Sequence, residues 1–126
     1  MTSASLKITL PYPPSVNNMY RRTHWGGTAL TDRAQRYKHS AAVIVMAEWG
    51  SRRTITGPVR VVITLHPPDR RRRDVDNTSK MICDALERGG VVANDSQIAP
   101  LVIDRGEPCK DGMVVVEIGI PGEAAG

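Results

Sequence analysis

Four consecutive arginines, Arg70, Arg71, Arg72 and Arg73, run straight into Asp74-Val75-Asp76, and this stretch divides the chain. Four adjacent cations repel one another and do not fit inside a packed helix or strand, so the run belongs to a solvated connection. In an extended segment, residues i and i+2 point to one side with Cα atoms roughly 6–7 Å apart. Two carboxylates that close repel unless a cation sits between them. A hard divalent ion is the natural match for carboxylate oxygens.

The elements on either side can be read from pattern. Gly57-Pro58 opens a strand from Val59 to His66, which Pro67-Pro68 ends. Beyond the arginines a helix is expected from about Asp76 to Arg88, stopped by Gly89-Gly90. At about 100° per residue, Met81, Ala85, Thr78, Ile82, Val75 and Leu86 share one side of it. Asp76, Asn77, Lys80 and Asp84 gather on the other. Asp74, carried onto the same wheel, falls among the apolar set, so it stands before the helix begins. A single Asp here reads as a helix cap, and Asp76 with Lys80 reads as an i,i+4 surface pair. Two Asp residues with a lysine one turn on exceed what one cap requires. Asp95 lies just past the helix in the turn Val92-Ala93-Asn94-Asp95-Ser96. Spacing leaves open whether chain reversal returns it to the Asp74 end of the sheet or leaves it at the far end.

The remaining elements complete a single-domain layout. Leu6-Lys7-Ile8-Thr9-Leu10 alternates as a strand and Pro11-Tyr12-Pro13-Pro14-Ser15 ends it. Asn17 to Leu30 is polar and basic and reads as a long loop. Thr31-Asp32 can cap a helix reaching about Trp49, with Gly50 after it. Strand-like runs at Ile98 to Asp104 and Met113 to Ile120 are expected to form a hairpin through Asp111-Gly112. Pro100 and Pro108 give that hairpin edge character. The order β-α-β-α-β-β predicts an α/β (α+β) domain over residues 1–120, with two main helices on a mixed sheet. Residues 121–126 read as a disordered tail.

Charge narrows the function. Residues 1–73 carry a balance of +10 and residues 74–126 one of −6, and 13 of the 17 cations are Arg. Arginine's planar fork suits phosphate oxygens, so a basic surface beside an acidic cluster suits a polyanion gripped against metal ions. The alternative is the solvated face of a basic protein. Two cysteines, Cys83 and Cys109, are too few for a disulfide scaffold or a four-ligand zinc site. His24, His39 and His66 have no ligand spacing among themselves. No apolar run approaches the roughly 20 residues of a membrane span, and the start lacks a signal-peptide pattern, so a cytoplasmic protein is expected. With no Phe, stacking on exposed bases falls to Trp25, Tyr20 or Tyr12. Trp49 and Tyr37, at helical positions, are expected in the core.

Arg70-Arg71-Arg72-Arg73-Asp74-Val75-Asp76-Asn77, Lys80, Asp84-Ala85-Leu86 and Asn94-Asp95-Ser96-Gln97-Ile98 resemble the signature of the RusA family of Holliday junction resolvases. Leu10-Pro11-Tyr12-Pro13-Pro14-Ser15, with Asn17, Asn18 and Tyr20, resembles that family's opening. The resemblance implies a homodimeric, Mg²⁺-dependent endonuclease, frequently encoded by phages or prophages, that resolves four-way DNA junctions by paired symmetrical nicks in recombination and repair. By the same resemblance Asp74, Asp76 and Asp95 hold metal and Lys80 is catalytic, with Mn²⁺ a conceivable substitute and no organic cofactor. The arginine run, Arg21, Arg22, Arg33 and Lys38 are then the DNA-contact candidates, joined by Trp25. A module that binds branched DNA without cutting it, and a nuclease acting on flaps or hybrids, are the competing readings.

Overall fold

The computed structural model describes residues 4–14, 20–70 and 75–120 of the 126. Its scaffold is a four-stranded sheet built from β1 (Ala4–Leu10), β4 (Val59–His66), β5 (Ile98–Arg105) and β6 (Met113–Ile120), in the order β1-β6-β4-β5. β4 runs parallel to β5, while β6 is antiparallel to both β1 and β4, so the sheet is mixed as expected.

Strand alternation decides which face is covered. In β4 the residues Val59, Val61, Ile63 and Leu65 are buried while their neighbours are not. β6 repeats the pattern with Val114, Val116, Ile118 and Ile120. Register puts these positions in rows, for example Ile8 opposite Val116 and Val116 opposite Ile63. A period of two therefore lays one apolar face across three strands.

That face is covered by α1 (Asp32–Trp49) and α2 (Val75–Arg88). Thr31 caps α1, its hydroxyl accepting from Ala34 N at 3.2 Å, and Gly50 closes the other end at φ 66°. Ala34, Tyr37, Ala41, Val45 and Trp49 form the inward stripe of α1, which puts Tyr37 and Trp49 in the core as expected. Tyr37 Oη donates to Pro11 O at 2.7 Å, and burial, with Tyr12 nearby, raises its hydroxyl above the usual phenol range. Where the two helices meet, Gly89 lies against Val45 with no room for a Cβ.

Two expectations need correction. The stretch read as one long loop contains a hairpin of its own, β2 (Tyr20–Arg22) paired with β3 (Thr28–Leu30). Each strand has only three residues, too short to show a period. What makes the hairpin is the turn, where Thr23 N donates to Gly27 O at 2.9 Å and Gly26 adopts φ 90°.

The second correction concerns β5 and β6, which are not partners. The β4-α2-β5 crossover lays β5 parallel beside β4, and β6 enters on β4's other side. The connection 106–112 instead crosses the end of β4. Gly106 N donates to Leu65 O at 2.8 Å, Cys109 N to Pro67 O at 3.0 Å, and His66 Nδ1 to Glu107 O at 2.9 Å. Asp111 and Gly112, both at positive φ, turn the chain there without pairing its flanks directly. The edge character expected from Pro100 does hold for β5, which ends the sheet. The tail expected at 121–126 lies outside the described residues.

Candidate active site

The rotation of α2 about its axis is fixed by its apolar side. Met81, Ile82, Ala85 and Leu86 are buried, the last three completely. Each large side chain of that kind contributes about 1.5–3 kcal/mol on leaving water, so the stripe carrying Asp76 and Lys80 cannot rotate inward cheaply. Lys80 is exposed, as the wheel requires. Asp76 belongs to the first turn of α2. Asp74 and Arg71–Arg73 lie outside the described residues.

Asp84 has a different employment. Its Oδ2 sits 3.6 Å from Lys38 Nζ and 3.2 Å from Arg88 Nε, contacts of charge rather than aligned hydrogen bonds. Lys38, proposed from sequence as a phosphate contact, thus has its ammonium turned toward Asp84 and largely covered. Arg21, Arg22 and Arg33 are exposed. Arg70 is exposed and 3.5 Å from Glu107 Oε2, a contact that solvent screens to little net worth. Trp25, at 83% exposure the most solvent-facing large apolar residue described, stands at the tip of the β2–β3 turn. Its ring lies 4.4 Å from that of His24.

Asp95 opens a short 3₁₀ turn, Asp95–Gln97, between α2 and β5. This turn packs on the outward side of α2, where Asp95 N donates to Glu87 Oε1 at 2.8 Å. Glu87 lies on the wheel about 20° from Asp76. Cys83, on the same stripe, has its thiol pushed up to about 11 by burial and then by the charge of Asp95. Asp95 thereby lies along the stripe that Asp76 and Lys80 begin, level with Cys83 to Glu87 and so about two to three turns along the axis from Asp76.

The donor set fits a hard divalent cation in kind. Asp95 is exposed, and its carboxylate makes no hydrogen bond or ion pair among the described residues. A turn aspartate ordinarily spends its side chain on the local backbone; this one does not. No cluster of three His, Cys, Asp or Glu side chains converges among the described residues, as expected when Asp74 and the Asp76 side chain fall outside that set.

Sequence reasoning missed Glu87 and Gln97. The second was readable, since Asn94-Ser96-Gln97 with Asp95 forms the N-x-x-Q pattern of a capping box. Both reciprocal bonds of that box are present. No described helix is long and apolar enough to cross a membrane.

Comparison with known proteins gives a consistent result. The family model described as endodeoxyribonuclease RusA matches residues 11–120. The crossover junction endodeoxyribonuclease RusA of Escherichia coli strain K12 is 36% identical over 118 residues, covering 89% of this chain and 94% of that protein. The enzyme of the same name from Enterobacteria phage 82 is 38% identical over the same coverage. That of Shigella sonnei is 36% identical.

Proposed function

The chain belongs to the RusA family of endodeoxyribonucleases, and from that premise we propose that it resolves four-way DNA junctions by paired, symmetrical phosphodiester hydrolysis in recombination and repair. The observation that carries the reading is Asp95. Its carboxylate is uncommitted among the described residues, while its backbone is tied to the α2 stripe that begins with Asp76 and Lys80.

Asp74, Asp76 and Asp95 would hold the metal, with Mg²⁺, which binds through one or two carboxylates together with substrate phosphate oxygens, the proposed ion and Mn²⁺ a substitute. When bound, the ion supplies a water acidic enough to react at neutral pH and a countercharge for the phosphate. Lys80, exposed one turn from Asp76, places an ammonium where charge builds on the phosphate oxygens. Arg21, Arg22, Arg33 and Arg70 are exposed and hold the DNA backbone, joined by Arg71–Arg73. Trp25, presented between glycines and arginines, stacks on bases exposed at the crossover.

A junction has approximate two-fold symmetry, and a two-fold dimer offers one site to each opposed strand. Action on intracellular DNA makes the cytoplasm the working compartment.

Asp76→Asn tests the assignment. Nicking of a synthetic four-way junction should disappear while gel-shift affinity for that junction is retained. Appreciable cleavage by the variant would remove Asp76 from the site, and binding without cleavage by the unmodified protein would favour a branched-DNA-binding module.

A further inference from the structure

We propose that Gln97 is the positioning residue of the acidic site, holding the Asp95 turn in place with the help of Glu87. The proposal rests on the reading of Asp95 as a metal ligand.

The carboxamide of Gln97 is saturated. Oε1 accepts from Ala93 N at 3.0 Å and Asn94 N at 2.8 Å. Nε2 donates to Ile55 O at 2.7 Å and Gly57 O at 2.9 Å. Two lone pairs and two N–H groups are all the side chain has, so one residue joins the turn to the segment ahead of β4. That segment is itself fastened to the chain after α2. Ile55 bridges Val92 as an isolated parallel pair, and Ile55 N donates to Val91 O at 2.8 Å.

The neighbouring donors are satisfied in the same way. Asp95 N goes to Glu87 Oε1 at 2.8 Å and Ser96 N to Asn94 Oδ1 at 2.8 Å. Four successive backbone N–H groups, those of residues 93 to 96, thus meet three side-chain acceptors, Gln97 Oε1, Glu87 Oε1 and Asn94 Oδ1, none of them the carboxylate of Asp95. In an ordinary turn an aspartate would serve as one of those acceptors. Here its neighbours do so, which fixes the backbone of Asp95 and leaves its oxygens to an external cation. Outer partners that orient a ligand commonly contribute about 10- to 100-fold to metal affinity.

The chemistry at position 97 requires an amide. A glutamate would keep the two acceptor bonds but turn a carboxylate oxygen toward two carbonyls. An alanine loses all four bonds.

The test is Mn²⁺ binding to the full chain without DNA, followed by calorimetry and by paramagnetic resonance of the free ion, with the Mg²⁺ dependence of junction nicking alongside. Gln97→Ala should weaken Mn²⁺ binding about tenfold or more and shift the Mg²⁺ half-saturation of nicking upward by a similar factor. Adding Gln97→Ala to Asp95→Asn should weaken binding no further than Asp95→Asn does alone, since both act through one ligand. A purely structural role would lower thermal stability and leave the metal dependence unmoved, which overturns the proposal. Should Gln97→Ala fail to fold, Glu87 answers the same question. Glu87→Ala should weaken Mn²⁺ binding, and Glu87→Gln, which keeps an oxygen for Asp95 N, should recover most of the loss; unmoved binding in Glu87→Ala overturns the clamp. If instead Asp95→Asn binds metal and cuts as the unmodified protein does, the reading of Asp95 itself fails.

Discussion

The turn at Thr23–Gly27 is closed by its own atoms. Thr23 N and Thr23 Oγ1 both donate to Gly27 O, at 2.9 and 3.1 Å, and Gly27 N returns a bond to Thr23 Oγ1 at 3.2 Å. The turn at Asn94–Gln97 is bolted to residues eight to 42 positions away, through Glu87, Gly57 and Ile55. The first carries Trp25 among exposed arginines and the second carries Asp95. A turn closed by its own bonds keeps its shape without help from distant residues. A turn tied to a helix and to the segment ahead of β4 holds the backbone of Asp95 in a fixed place, which the proposed ligation would require. On the proposed reading the two turns serve gripping and cutting respectively.

The contrast breaks most visibly at the acid. Asp95→Asn should slow junction nicking by more than the roughly 100-fold that marks the loss of an outer partner, with binding retained, as measured by single-turnover cleavage beside gel shift. At the other turn, Trp25→Ala should cost about 1–3 kcal/mol of junction binding and leave the cleavage rate of bound junction near its original value. A variant that bound normally but cut slowly would put Trp25 at the wrong turn. Thr23→Ala removes the hydroxyl that closes the hairpin and should cost roughly 1 kcal/mol. Because all three bonds are local, hydrogen exchange should rise at residues 23–27 and not in the sheet.

The smallest expected effect is alkaline. Cys83 in the unfolded chain loses its proton near the ordinary value of 9.0, and in the folded chain near 11. The unfolded state therefore binds fewer protons between those values, so stability is full below about pH 9 and declines as pH rises toward 11. Cys83→Ala should flatten that part of a melting-temperature profile. Asp95→Asn should lower the thiol's titration midpoint, read by thiolate absorbance, because the nearby carboxylate is one of its two causes. No change in the midpoint would place Asp95 away from Cys83.

These differences also mark what the sequence could and could not disclose. Both long helices were legible because their ends carry chemical signals, Thr31 and Gly50 for α1 and Gly89-Gly90 for α2. β4 and β6 were legible because one face is buried and the other is not. Pairing was another matter. Asp111-Gly112 is a true local turn signal, but which strand lies beside β6 depends on the crossover through α2, a non-local fact. The β2–β3 hairpin escaped because three-residue strands have no measurable period. In the site, Asp76 and Lys80 could be put on one stripe from helical geometry alone. Asp95 could not, because its position follows from a hydrogen bond to Glu87 and from Gln97 reaching back 40 residues. Polar clamps of that kind depend on geometry that hydrophobic patterning does not encode.

The central claim is metal-dependent cleavage of branched DNA, and its most direct test is an end-labelled synthetic four-way junction incubated with the protein in Mg²⁺ or in EDTA, beside linear duplex of the same sequence. Paired nicks on opposed strands, present with Mg²⁺, absent with EDTA and absent from the duplex, are the predicted result. Tight junction binding with no cleavage across several sequences, in Mg²⁺ and in Mn²⁺ alike, would contradict it.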